Sequence, residues 1–279
     1  MAYIFPGEGS LNYYPCQYGG SKIQCRGPKQ ATDAAYLAFL GGTETYGRFV
    51  QSPFATLLGR GLALPAVNLA AMNAGPDLYL NAPDLLQIAA KARLAVVQIT
   101  GAQNMSNRYY TVHPRRNDRF LSATPLLMAL FPRVDFTEFN FTRHMLLALQ
   151  AESSDRFEVV AEELRAAWVV RMKRLLALLN DRSILLWMSE LPPPQPERRS
   201  LLKRLPLLVD AEMIAAVRPF AARYLEVVYS RDAVAKGREG MAFAPMEALA
   251  AAEVPGPAVH HEVAGKLMPM VASLLGPRV

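Results

Sequence analysis

The side chains in this sequence that could do chemistry fall in four short polar segments. They are Gly41-Gly-Thr-Glu-Thr45, Asn68-Leu-Ala-Ala-Met-Asn-Ala-Gly75, Ile99-Thr-Gly-Ala-Gln-Asn104 and His260-His-Glu-Val-Ala-Gly265. Thr43 supplies a hydroxyl that can attack a carbonyl, although its β-methyl crowds the approach and restricts χ1. The amide of Gln103 or of Asn104 can donate to a developing oxyanion, where one donor is worth on the order of 3 kcal/mol, and Asn73 is a candidate for binding substrate. Each group also has a structural role open to it. Thr43 can cap a helix from a turn, His260 can bond solvent or backbone near a helix start, and the amides can brace irregular loops.

A fifth segment, Val112-His-Pro-Arg-Arg-Asn-Asp-Arg-Phe120, gathers three guanidiniums around a histidine and aromatics. His113, Arg115 and Arg116 could clamp a phosphate, sulfate or carboxylate, with Arg binding it bidentately. Tyr109, Tyr110 and Phe120 could stack on a sugar or a base. The alternative is an Arg–Asp network that pins the loop, with Asp118 and Asp135 as acceptors.

These segments need elements to position them, and hydrophobic patterning supplies a set. Tyr36 to Leu40 is apolar without alternation, as in a parallel strand covered on both faces, and it runs into the Gly41-Gly42 turn. Ligands in open parallel sheets sit beyond the carboxyl ends of strands, which is where this turn places Thr43. A helix over Arg48 to Leu62, interrupted at Pro53, leads to a second strand at Ala66 to Leu69. Asp77 is expected to cap a helix through about Ala92, before a third strand at Leu94 to Thr100. Residues 102–123 read as a long polar loop and 123–151 as helical pieces, an insertion of about 102–156. Phe157 to Leu179 is the clearest amphipathic helix, with Val160, Leu164, Trp168, Met172, Leu175 and Leu179 on one face. Ser183 to Ser189 is a fourth strand, and Leu191 to Arg199 an exposed proline-rich loop. A helix capped by Asp210 and running to about Ala222, a fifth strand at Tyr224 to Tyr229 and a helix from His260 to Leu275 complete the chain. The pattern predicts an irregular lead-in over 1–34, then one α/β domain over 35–279. Its expected form is a three-layer αβα sandwich on a flavodoxin-like parallel sheet of about five strands.

Composition narrows the partners. The 279 residues are 52% hydrophobic and 19% charged, with a formal net charge of +6 that admits an anionic partner. Lys and Arg are dispersed and no nucleic-acid-reading motif occurs, so a nucleic-acid partner is disfavoured. With 4 His and 2 Cys, and no second cysteine pair at zinc-ligand spacing, no metal or other cofactor is expected. Cys16 and Cys25 could close one disulfide or stay reduced. The amino terminus carries no secretory signal, and no stretch approaches the ~20 apolar residues of a membrane span. A cytoplasmic location follows as the expectation, unless the chain is carried out within a particle.

Taken together, the four segments resemble the SGNH, or GDSL-type, hydrolase superfamily over residues 36–104 and 255–275. The resemblance implies a nucleophile at Thr43, where the family has Ser, and Gly42 stands where the family has Asp. It implies oxyanion donors at Gly75 or the backbone near Asn73, and at Gln103 or, with a one-residue shift, Asn104. The His-x-x-x-x-Gly pattern selects His260 as the base. Pro257 stands where the family's orienting Asp belongs, and Glu253 and Glu262 are the carboxylates nearest to replacing it. The implied function is recognition, with deacylation where the chemistry is intact, of an acylated carbohydrate or polysaccharide. Two alternatives stand beside it. One is a catalytically inactive glycan-binding or structural subunit, for instance a surface component of a phage-like particle assembled with other subunits. The other is an enzyme using the arginine loop on sulfated or phosphorylated substrates.

Overall fold

Successive residues of a strand leave for opposite faces of its sheet, and in this chain both faces meet apolar helices. The structure, a computed structural model, describes residues 9–196, Leu202 and 205–276. Its main sheet takes β1 (Leu37–Leu40), β2 (Ala66–Asn68), β3 (Leu94–Gln98), β6 (Ser183–Ser189) and β7 (Arg223–Val228) in the order β2-β1-β3-β6-β7. Every pairing in it is parallel. A separate antiparallel hairpin pairs β4 (Tyr110–His113) with β5 (Arg116–Ala123). The helices are α1 (Thr43–Tyr46), α2 (Phe54–Leu62), α3 (Pro76–Leu80), α4 (Pro83–Lys91), α5 (Pro125–Leu130), α6 (Thr142–Glu152), α7 (Ser154–Ala177), α8 (Ala211–Val217), α9 (Arg231–Ala235), α10 (Ala248–Ala252) and α11 (Pro257–Leu275).

The two faces carry separate cores, which makes the domain a three-layer sandwich. Ala38, Leu40, Val97, Leu185 and Trp187 pack with Leu78, Leu85 and Trp168 of α3, α4 and α7. Leu37, Phe39, Val96, Ile184 and Leu186 pack with Phe54, Ala233 and Val263 of α2, α9 and α11. The predicted stripe is fully inside: Val160, Leu164, Trp168, Met172 and Leu175 of α7, and Leu179 just past its end, are each at most 1% exposed. Burying a large apolar side chain contributes roughly 1.5–3 kcal/mol, so this stripe fixes α7 against the sheet. The Trp168 indole also donates to the Thr100 carbonyl at 2.9 Å, tying the helix to the end of β3.

Several boundaries differ from the sequence reading for local reasons. Pro53 precedes α2 as its N-cap instead of interrupting it, because proline fits a helix start and not a helix interior. The helix expected from Asp77 to Ala92 is two helices, since Pro83 opens a second one at Ala82. Asp77 is not a cap; it lies in the first turn of α3 and its carboxylate pairs with Arg171. The stretch 102–123 is not a loop throughout, since it holds the β4–β5 hairpin, which precedes α5 and α6. Asp210 does cap α8, accepting the Met213 amide at 2.9 Å, and the helix closes through a 3-10 turn at Arg218–Phe220. Residues 197–199 of the proline-rich segment and 1–8 of the lead-in lie outside the described residues. The described lead-in is irregular, with one antiparallel bridge between Cys16 and Cys25, and both cysteines are free thiols.

Candidate functional site

Strand order reverses at β1, whose neighbours β2 and β3 continue in opposite directions, so the carboxyl ends of β1 and β3 flank the crevice where open α/β sheets hold ligands. The chain leaves β1 through Gly41 and Gly42 into α1. A Cβ on Gly41 would lie 2.3 Å from Thr45 Oγ1 and 2.5 Å from Gln98 Oε1, so only glycine fits that close an approach. Gln98, the last residue of β3, holds the turn. Its Oε1 accepts from the Gly42 amide (3.0 Å), the Thr45 amide (3.3 Å) and the Thr45 hydroxyl (2.6 Å). Its Nε2 donates to Glu44 Oε2 at 2.8 Å. From below, the buried Tyr79 hydroxyl accepts the Gly41 amide and donates to the Gly41 carbonyl, both at 2.8 Å.

Thr43, half-buried, is met by the loop that follows β2. Asn73 has a left-handed backbone (φ 57°), a conformation asparagine tolerates better than most residues. From there its amide donates to Thr43 Oγ1 at 3.0 Å, while the Thr43 hydroxyl donates to Asn73 Oδ1 at 3.1 Å. Asn73 Nδ2 donates onward to Asp118 Oδ2 at 3.1 Å. Asn104 Nδ2 donates to the Asn73 carbonyl at 2.9 Å, and Asn104 Oδ1 accepts the Thr142 hydroxyl at 2.8 Å. The Gly75 amide donates to Asn117 Oδ1 at 3.0 Å, and a Cβ on Gly75 would fall 1.8 Å from the Asn104 carbonyl oxygen. Gln103 is anchored through its carbonyl, which accepts the Tyr110 hydroxyl at 2.7 Å, while its buried Oε1 has no hydrogen-bond partner.

The structure therefore brings Thr43, Asn73, Gly75, Gln103 and Asn104 together and occupies most of their donors internally. His260 lies elsewhere. It is fully buried in the first turns of α11, its Nδ1 accepts the Phe54 amide at 3.2 Å, and its ring stacks on Phe54 at 5.9 Å. Its Nε2 is buried without a partner. Burial, with Arg26 and His261 adding to it, pulls the imidazole down to about 3, so the ring is neutral at physiological pH. No hydrogen bond joins Thr43 to His260 among the described residues. Of the acids near α11, Glu262 is committed to the Ser230 amide (3.0 Å) and to Lys266 (2.8 Å).

The arginine segment splits. Arg108 pairs with Glu163 at 2.7 Å and Arg119 lies over the Phe141 ring at 4.7 Å. His113, Arg115 and Arg116 sit at the hairpin tip, beside the crevice because Asn117 and Asp118 bond Gly75 and Asn73. Of the two acceptors expected to pin this segment, Asp118 lies 3.8 Å from Arg116 and accepts from Asn73, and Asp135 instead caps the turn at Thr137.

Four groups that shape this site escaped the sequence reading: Gln98, Tyr79, Asn117 and Arg26. Arg26, from the lead-in, is buried and donates to the carbonyls of Tyr46, Gly47, Val50 and Gln51, bracing the loop after α1. Gln98 had a signal, as the polar end of the otherwise apolar run Leu94-Ala-Val-Val-Gln98. A family model described as a domain of unknown function (DUF6473) matches residues 1–275. No curated protein matches the chain.

Proposed function

The chain belongs to the DUF6473 family, and from that premise we propose that it is a carbohydrate-binding protein whose SGNH-hydrolase-like crevice has lost acyl-transfer chemistry. The observation that carries this reading is the two-way hydrogen bonding of Thr43 with Asn73, with no base bonded to the hydroxyl among the described residues. A threonine needs a general base to act as a nucleophile at neutral pH. The imidazole expected in that role is held by Phe54 in the core. The crevice still offers groups that sugar hydroxyls can exchange hydrogen bonds with, since the half-buried Thr43 hydroxyl and the Asn73 amide can both donate and accept and the Asp118 carboxylate accepts. Deacylation is the second reading, favoured by the half-buried Thr43 hydroxyl at the switch point beside the Asn73 amide.

The test is to measure retention and hydrolysis on the same acetylated polysaccharides. Retention without ester release supports binding. Ester release that Thr43→Ala abolishes moves the conclusion to the second reading. Neither retention nor release on any glycan would refute both.

A further inference from the structure

We infer that the tip of the β4–β5 hairpin is an anion subsite, at which Arg115 and Arg116 read a carboxylate or sulfate carried by the glycan; this rests on the carbohydrate-binding reading.

The hairpin is fixed to the crevice through its buried residues. Asn117 is fully buried, and its Oδ1 accepts the Gly75 amide at 3.0 Å while its Nδ2 donates to the carbonyls of His113 (3.2 Å) and Pro114 (3.4 Å). One side chain thus locks the tip both to itself and to the loop after β2. Strand alternation sends Arg116 and Asp118 to the face opposite Asn117. Asp118 Oδ2 accepts from Asn73 Nδ2 at 3.1 Å and lies 3.8 Å from Arg116 Nη2. The Arg116 guanidinium is therefore one carboxylate and one amide away from the Thr43 hydroxyl.

The cations at the tip are not used up by the fold. Arg116 is 58% exposed and its contact with Asp118 is longer than a hydrogen bond. Arg115 is exposed and has no ion pair among the described residues. Arg108 and Arg119, the neighbours that do have partners, point to Glu163 and Phe141 instead. His113 adds a donor: its Nδ1 accepts the Arg115 amide at 3.2 Å, which leaves the ring N–H on Nε2. Two guanidinium forks and an imidazole N–H at one rigid tip match the several oxygens of a uronate or a sulfate ester. Asp118, the acid facing the same tip, is 13% exposed at its side chain and turned inward: its Oδ2 accepts from Asn73 and its Oδ1 is buried, so the exposed guanidiniums meet solvent on the side away from it.

The experiment is affinity electrophoresis and column retention on three polymers: polygalacturonate, dextran sulfate and neutral dextran, each at low and moderate salt. Wild type should hold one or both anionic polymers at least about tenfold more tightly than dextran, with salt weakening the difference. The polymer retained identifies the anion. Arg115→Ala/Arg116→Ala, at exposed positions that leave the melting temperature unchanged, should remove the preference and keep dextran retention. Arg115→Lys/Arg116→Lys should restore only part of it, because lysine keeps the charge without the fork. Equal retention by wild type and the double alanine variant would overturn the subsite and leave the binding reading standing. Duplex DNA is run beside the three as a charge control, and retention on it equal to that on the anionic polymers would overturn the subsite in favour of nonspecific charge. Failure of wild type on all three polymers would sink the subsite and the binding reading together.

Discussion

Thr43 and Asn73 satisfy each other: the Thr43 hydroxyl donates to Asn73 Oδ1 at 3.1 Å and accepts the Asn73 amide at 3.0 Å. The pair joins the end of β1 to the loop after β2, and it depends on the left-handed backbone of Asn73. Thr43→Val keeps the shape and removes the hydroxyl, which should cost about 1 kcal/mol in urea unfolding. Asn73→Ala should cost more than Asn73→Gly, because alanine loses the side-chain bonds and also strains the positive φ, whereas glycine loses only the bonds. An alanine variant as stable as the glycine variant would contradict the strained-loop account. Thr43→Ser, which keeps the hydroxyl, should stay within about 0.5 kcal/mol of wild type in the same assay.

A second joint holds the far side of that loop. Asp77 Oδ1 lies 2.5 Å from Arg171 Nε, its Oδ2 accepts the Ser106 amide at 2.9 Å, and Arg171 Nη2 donates to the Ser106 carbonyl at 2.6 Å. This binds α3, the segment after β3 and α7 through one largely buried pair. Removing one partner strands the other charge away from water, so Asp77→Ala and Arg171→Ala should each lose about 3 kcal/mol in urea unfolding. The double variant should lose much less than the two summed, since the stranded charge is gone. Additive losses would mean that the pair does not act as a unit.

These joints mark the limit of what the sequence made legible. Strand and core positions are readable because burial on both sheet faces demands unbroken apolar runs: the strand expected at Ser183–Ser189 has those bounds, and the residues expected on the inner face of the long helix are all buried. Thr43, Gly75 and the amides were readable as a set because turns at strand ends leave a local signature. Their hydrogen-bond partners were not, since Gln98, Asn117 and Arg26 act across separations of about 20 to 60 residues that carry no periodicity. His260 shows the same limit. Its place near the start of the last helix was visible, but the side it faces is set by Phe54, 206 residues away.

Cys16 and Cys25 face each other across a backbone bridge of 3.1 and 2.9 Å, and both thiols are free. Cys25 is fully buried and its thiol donates to the Leu69 carbonyl at 3.7 Å. Burial pushes that thiol up to about 12 and raises Cys16 as well. The thiolate is the reactive form, so Cys25 in the folded protein should react with iodoacetamide at pH 8 roughly a thousandfold more slowly than in urea. Mass spectrometry of timed quenches measures this. Fast labelling of Cys25 in the native state would show that its burial is not maintained in solution, and no labelling in urea without reductant would show a disulfide.

The buried imidazole of His260 makes stability pH-dependent with a definite sign. In the folded chain it titrates at about 3, against an ordinary value of 6.5. Between those values the unfolded chain binds a proton that the folded chain refuses, so acid favours unfolding. The contribution is fully present above 6.5 and is lost as pH falls toward 3, at up to about 1.4 kcal/mol per pH unit. Between pH 7 and 5.5, where few carboxylates titrate, wild type should lose about 1 kcal/mol of unfolding free energy through this group. His260→Asn keeps an acceptor for the Phe54 amide and removes the titration. It should be less stable at pH 7, because it leaves part of the ring's volume empty, and flatter across the acid window. The measurement is urea unfolding of both proteins at pH 7, 6 and 5.5. Parallel curves would mean that His260 accepts a proton in the folded state, which would place its ring in reach of solvent and reopen a part for it in proton transfer.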